Sequence, residues 1–543
     1  LQDNTMIAPA GLPAIITAAR AGAISHAERL FREGGHGRRS DDAATQAVRA
    51  RLLTERALTL PVSLRPRAFA EAAQAYASAD ALVPQLYTRI NAATMTLLAG
   101  DADRARDMAE AVLAWLDTGP QVHDTPFMIE ASRAEAHLVA GRTEAARRVL
   151  VEAVALAPLA FEDHALALRQ FRMIARALKI DDRWLDAFRP PAAMHFAGHL
   201  GLGSRPDPVV VGRIDAAIAA DRVGFGFGAL AAGSDITIAE RLLESGGELH
   251  VVLPLCEEAF LAQSVHPFGE DWEERFRRCR DAAASWTETA RNTGTYEPIA
   301  SHLAADVAMG AAVRHARSLG SDAVQIVIVD DGPGALGTGV HTAREVRRWS
   351  GTGLSSHVIR APRTAPVPSS GSRAVPEGQA DRRLVALLQM DFIGLAELDE
   401  AALAQAVADV LVPFRSALAM LPARPALALP CGNSRIMAFT DPESAFAYAR
   451  AALDIPTAPF ALRVAGHYGL AHWLSDPDAL IGRTVDQLAE VAALAFPGTI
   501  TVTETFASAL FLAAGGEVYA EPLGEAGDLR LHALRVTTEG SAA

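Results

Sequence analysis

The sequence predicts a multidomain chain with three fold classes in succession: an all-α helical repeat, an α/β parallel sheet and an α+β domain. Three observations carry this expectation. From Leu12 to about Leu185 the chain is rich in alanine, leucine and arginine, with apolar residues at three- and four-residue spacing, the helical period. After Pro190 and Pro191 short apolar runs alternate with helical segments, the pattern of a parallel sheet. A run rich in proline, serine and glycine, Ala361 to Asp381, then reads as a linker before a mixed order of strands and helices. The expected domains are 1–189, 190–360 and 382–543, with 361–381 as the linker.

At 543 residues the chain exceeds what one core organises, since domains usually hold ~100–200 residues. A net charge of −14 opposes a general nucleic-acid or anionic-membrane partner, which needs a basic face. Cys256, Cys279 and Cys431 are widely spaced and lack a CxxC arrangement, so they read as free thiols and not as a disulfide framework or zinc site. No stretch holds the ~20 uninterrupted apolar residues of a membrane helix, and the N-terminus has no basic-then-apolar leader pattern. The chain therefore reads as cytoplasmic, and its opening LQDNTM places a native start at Met6 or upstream.

The helical stretch repeats itself. AGAISHAERLF near Ala21, AGDADRARDMAEAVL near Ala99 and AGRTEAARRVLVEAV near Ala140 share one design. In each, a glycine (Gly22, Gly100, Gly141) ends one helix, and an alanine five residues later (Ala27, Ala105, Ala146) opens the packed face of the next. Such hairpins resemble tetratricopeptide repeats, although Gly100 and Gly141 lie 41 residues apart where the usual period is ~34. The segment YTRINAATMTLLAGD from Tyr87 also resembles the TRAFs-binding-type helical region of apoptosis-signal-regulating kinases and bacterial relatives, over roughly 50–185. That resemblance implies a surface for a protein partner, and not chemistry.

In the second region MHFAGHL, VGFGFGAL, ELHVVLPL and AVQIVIVDDG are expected as four strands. Ligands of open parallel sheets sit at the carboxyl ends of strands, where glycines let phosphates approach helix N-termini. Here GHLGLG (198–203) and GFGALAAG (226–233) end two strands, and the second leads through Ser234 and Asp235 into a helix whose N–H groups are expected to be open to an anion. DDGPGALGTG from Asp330 offers a third loop, with Thr338 at a helix start. The candidate nucleotide-binding residues are Gly198, Gly226, Gly228, Gly233, Ser234, Asp235, Asp331, Gly332, Gly337 and Thr338. The alternative is that geometry alone requires these glycines and that Asp331 is an ordinary cap. GFGALAAGSDITIAERLLESGGELHVVLPL and VIVDDGPGALGTG resemble the SLOG family, a Rossmann-like group related to the LOG phosphoribohydrolases, over roughly 192–355. This implies a nucleotide or nucleotide-derived ligand. The LOG motif PGGxGTxxE ends in a glutamate of the catalytic set; here that position is His341 and the next acid is Glu345, which implies sensing in place of hydrolysis.

In the third region LVALLQMDFIGL, LPCGNSRIMAF, LRVAGHYGLAH and IGRTVDQLAEVAALAFPGTITVTETFASAL resemble a class III adenylate or guanylate cyclase domain over about 382–535, which implies a ferredoxin-like core. That family holds two divalent ions with two aspartates. The first matches Asp391, the one metal-ligand candidate; the second falls on Asn433, an amide and a weaker ligand for a hard cation. The family's asparagine and arginine, four residues apart on a helix, fall on Asp486 and Glu490 when aligned through Gly482 and Val485. One turn separates them, so both carboxylates share a helix face toward the expected phosphates. Two unit charges ~4 Å apart interact by about 4 kcal/mol at an effective dielectric of 20, so exchanging a cation for an anion there is a large change.

Three departures at four positions imply a degenerate cyclase with no assigned catalytic residue, in which Mg²⁺ or Mn²⁺ enters only where activity remains. Arg435 and Arg483 stay open as compensating groups, Asp391 stays open between working ligand and leftover carboxylate, and His467 is expected to pack or hydrogen-bond. The expected function is a signalling regulator: a nucleotide-type ligand is sensed, the cyclase-like domain forms a homodimer or binds nucleotide, and the helical repeat takes a protein partner. The alternatives are an active adenylate or guanylate cyclase, and a nucleotide-processing hydrolase in the SLOG-like region.

Overall fold

Helical spacing in the first 190 residues becomes a run of helices: α1 (Leu12–Arg20), α2 (Ile24–Glu33), α3 (Ala43–Thr59), α4 (Arg65–Leu82), α5 (Leu86–Leu98), α6 (Ala102–Leu116), α7 (Pro126–Val139), α8 (Thr143–Leu156) and α9 (Phe161–Leu178). The computed structural model describes residues 11–118, 124–291, 297–330, 340–364, 382–431, 434–475, 478–513 and 518–536. Gly22, Gly100 and Gly141 have φ of 82°, 97° and 78°, a region that disfavours any side chain. At each, the glycine N–H reaches the carbonyl three residues back and the next N–H the carbonyl five back, as in Gly100 to Leu97 and Asp101 to Thr96. This is the Schellman closure of a helix end. Ala27, Ala105 and Ala146 are fully buried where the next helix packs. Leu86, Ile90, Leu113, Leu150 and Phe171 belong to one core across these hairpins.

The described residues up to Pro190 form one compact unit, and those from Pro191 to Val536 form another that contains two sheets. The first sheet is built from β1 (Ala192–Gly198), α10 (Pro208–Ala220), β2 (Val223–Gly228), α11 (Ser234–Glu244), β3 (Glu248–Leu253), α12 (Glu257–Ser264), α13 (Glu270–Ala282), β4 (Ala283–Glu288), α14 (Pro298–Ser318), β5 (Ala323–Val329), α15 (Val340–Ser350) and β6 (Ser355–Arg360). Its strand order is β4-β3-β2-β1-β5-β6, and every pairing is parallel. The order reverses between β1 and β5, which makes that crevice the topological switch point. The four expected strands are β1, β2, β3 and β5. The sheet also has β4 and β6, at its two edges, whose AASWTE and SSHVIR lack the apolar run of a strand buried on both faces.

The second sheet is mixed: β7 (Arg382–Ile393), α16 (Glu400–Ala406), a π turn at Val407–Leu411, α17 (Val412–Ala419), β8 (Leu427–Cys431), β9 (Ser434–Phe439), α18 (Pro442–Leu453), β10 (Ala461–Ser475), β11 (Asp478–Ile481), α19 (Arg483–Leu494), β12 (Ile500–Thr503), α20 (Glu504–Phe511), β13 (Val518–Ala526) and β14 (Leu529–Val536). The order is β13-β14-β12-β10-β7-β9-β8, with β11 folded back on β10. The segment β10-β7-β9-β8 is a βαββαβ unit in ferredoxin-like order. Among the described residues the helical run Glu400–Ala419 is long and apolar enough to cross a membrane by length and composition alone. Gln405, Asp409 and Arg415 interrupt it, so a count of uninterrupted apolar residues passes over it.

Helix α14 belongs to the parallel sheet and packs on α20 of the mixed one. Asp306, Gly310 and Arg314 follow one another at four-residue steps, so they lie along one stripe of α14. A Cβ on Gly310 would stand 1.7 Å from the Ser508 carbonyl oxygen, so only glycine lets the two helix backbones come this close. Four residues on, Arg314 Nη2 donates to Glu504 Oε1 at 2.6 Å.

Candidate functional site

Two carboxylate centres emerge, one in each sheet. At the switch point of the parallel sheet, α11 begins immediately under the end of β1. A Cβ on Gly198 would fall 2.2 Å from Ser234 Cβ, one on Gly228 2.6 Å from the Phe196 carbonyl, and one on Gly226 2.4 Å from a Leu242 methyl. Gly233 has φ of 106° and lies against the Leu200 carbonyl. These four glycines bring β1, β2 and α11 together, so each of them has a packing role. The helix start differs from the expectation of open N–H groups. Ser234 N–H reaches the His199 carbonyl and Ile236 N–H the Ala231 carbonyl, while Ser234 Oγ donates to His199 at 2.8 Å. The cause is the loop after β1, which folds over α11 and is itself tied down from β6. His199 Nε2 donates to the Ala361 carbonyl at 3.1 Å, and Thr364 N–H to Gly201 at 2.9 Å. Asp331, Gly332, Gly337 and Thr338 lie outside the described residues.

Asp235 is buried beneath this loop and accepts from the N–H of Ala231 at 3.3 Å and from the Gly198 backbone. Burial pushes its carboxyl up to about 7. Glu345, on α15, is pushed up to about 8 by burial and then by the neighbouring Asp235 charge. Its carboxyl stands 3.8 Å from His195 Nε2, and burial lowers that imidazole to about 3, so it is neutral. Arg344, the preceding residue, is turned to Asp306 of α14 through two bonds of 2.9 Å. The switch point thus holds two carboxyls able to carry protons near neutral pH. Glu345 lies one helical turn beyond the position where the family pattern places its acid, and the sequence marks it as the next acid after that position.

In the mixed sheet Asp391 lies near the end of β7, directly opposite Arg463 of β10 and Ser434 of β9. Its carboxylate accepts from Arg463 Nε at 3.1 Å and from Gln389 Nε2 at 3.1 Å. A guanidinium therefore occupies the carboxylate that the sequence nominates for a metal. Asn433 lies outside the described residues. Asp486 and Glu490 project from the exposed side of α19 beside an open groove that Ile481 and Val485 also line. Arg483 is bonded to Asp528 at 3.2 Å. His467 is buried with Nδ1 bonded to Thr503 Oγ1 at 2.9 Å, and burial lowers it to about 4. Among the described residues no group of three histidine, cysteine, aspartate or glutamate side chains is placed to hold a metal ion.

No protein-family model matches the chain, and no curated protein matches it. Part of it is similar to solved cyclase structures. One is the adenylyl cyclase CyaB from P. aeruginosa, at 14% identity over 29% of this chain and 97% of that one, with a TM-score of 0.25. Another is the guanylate cyclase domain of RhGC from Catenaria anguillulae in complex with GTP, at 13% identity over 29% of this chain and 100% of that one, TM-score 0.24. A third is the adenylate/guanylate cyclase/hydrolase from Silicibacter pomeroyi, at 16% identity over 30% of this chain and 99% of that one, TM-score 0.23. At such scores the likeness decides nothing about chemistry; the residues do.

Proposed function

We propose that the chain is a non-catalytic regulator whose mixed-sheet domain, 382–543, is a silenced class III cyclase. In this reading 190–360 senses a nucleotide-type ligand at its switch point, 382–543 pairs with a second copy or holds nucleotide, and 1–189 takes a protein partner. One observation carries it: the Asp391 carboxylate is already neutralised by Arg463 at 3.1 Å. Two-metal catalysis needs that carboxylate free for a cation, and the exposed anions Asp486 and Glu490 would repel a triphosphate. The test is incubation of the full chain with ATP or GTP and Mg²⁺ or Mn²⁺. No cyclic product is expected; sustained turnover abolished by Asp391→Ala would overturn the reading.

A second reading, a nucleotide-processing hydrolase at the switch point, is favoured by Glu345. A carboxyl held near 8 beside another near 7 keeps a proton to donate at neutral pH, the requirement for a general acid. Free base released from a nucleoside monophosphate, and lost in Glu345→Gln, would establish it in place of sensing.

A further inference from the structure

A cavity of about 630 Å³ opens between the carboxyl end of β4 and the mixed sheet, and neither Asp235, Glu345 nor Asp391 lines it. Its size falls in the ~300–1,000 Å³ of small-molecule sites. The carboxylates of its wall are each already held. Glu297 accepts two bonds of 2.9 Å from Arg382, Glu504 is bonded to Arg314, and Glu288 accepts from Trp286 Nε1 and Arg291. The same wall carries Arg530, bonded to Glu525 at 3.0 Å, and between these pairs lie neutral polar groups, among them Gln487, Thr484 and His467, beside the Trp286 indole. At the mouth Asp528, in the β13–β14 turn, accepts from Arg291 Nη1 at 3.1 Å and from Arg483 Nη2 at 3.2 Å with the same oxygen. These three side chains are half exposed, at 56%, 54% and 50%.

We propose that this cavity binds a nucleoside monophosphate, whose phosphate takes the place of Asp528 between Arg291 and Arg483 while its uncharged body enters the polar interior. Exposed ion pairs contribute little, so Asp528 is readily displaced. A phosphate presents more oxygens and more charge to two guanidinium forks than one carboxylate does. The other arginines of the wall, Arg382 and Arg530, are already paired with Glu297 and Glu525, so a chain of three phosphates finds no further cation beyond the two at the mouth, which favours one phosphate over three. The site is separate from the switch point and from Asp391, so it goes beyond the regulator reading.

The test is calorimetric titration of the full chain with the four common ribonucleoside 5′-monophosphates, their triphosphates and inorganic phosphate. At least one monophosphate is expected to bind more tightly than its triphosphate and than inorganic phosphate. Its affinity should fall about tenfold or more in Arg291→Ala and in Arg483→Ala, the loss of a charge-assisted bond, and rise in Asp528→Asn. Binding of no monophosphate, equal binding of inorganic phosphate, or weaker binding in Asp528→Asn would overturn the proposal. A nucleotide held at the switch point would respond to Glu345→Gln and not to Arg483→Ala, which keeps the two readings apart.

Discussion

The two sheets of the second unit treat buried carboxyls in opposite ways. In the parallel sheet Asp235 accepts from backbone amides, Glu345 lies in the field of the Asp235 charge, and both are raised toward neutrality. In the mixed sheet Asp391 and Glu504 are bonded to Arg463 and Arg314, and Glu504, with Arg530 and His532 also beside it, is held well below the ordinary carboxylate range despite its burial. The same carboxyl group is therefore raised toward its protonated form where no cation bonds to it, and held as an anion at Glu504, where Arg314 does. Helix α14 joins the regions. Its Asp306 takes Arg344 from beside Glu345, and its Arg314 supplies the cation to Glu504.

The largest expected effect comes from making the mixed-sheet centre resemble the parallel one. Arg314→Met leaves Glu504 buried with one more distant cation, Arg530 at 3.8 Å, and with the His532 imidazole, which burial holds toward its neutral form, at 3.9 Å. Removing one partner of a buried pair typically costs about 3–5 kcal/mol, and urea unfolding of the variant should read the lower end of that range. Gly310→Ala attacks the joint itself. Its methyl meets the Ser508 backbone, so α14 and α20 must separate at a cost of about 1–3 kcal/mol, read as a lower urea midpoint.

The smallest effect is a slope with pH. Glu345 has a folded pKa of about 8 and Asp235 of about 7, against ordinary values of 4.5 and 3.8. In that window the folded state binds more protons than the unfolded, so these groups stabilise below about pH 4 and lose that contribution as pH rises through 7 and 8. Glu504, shifted the other way, contributes above its ordinary value and loses stability as pH falls below it. Glu345→Gln should match the natural protein at pH 5 and melt higher than it at pH 8.5, on the order of 5 °C. Equal melting temperatures at both pH values would erase the contrast between the sheets.

Much of the backbone design was legible because it is local. Gly22, Gly100 and Gly141, each with an alanine five residues on, need only short-range geometry, and the central strands β1, β2, β3 and β5 advertise themselves as apolar runs. The edge strands β4 and β6 did not, because an edge is half solvated and its sequence stays polar. At the sites, Asp391 was visible in its motif but Arg463 was not, since 72 residues separate them and only antiparallel register brings them opposite. The glycines at 198, 226 and 228 look like a phosphate cradle in sequence, whereas their neighbours in space are Ser234, Leu242 and Phe196.

The claim that an arginine stands where a metal would bind is tested most directly by titrating Mn²⁺ into the full chain with ATP and following the electron paramagnetic resonance of the free ion. The free-ion signal of the natural protein should equal that of Asp391→Ala at every addition. A loss of signal in the natural protein that Asp391→Ala restores would contradict the account.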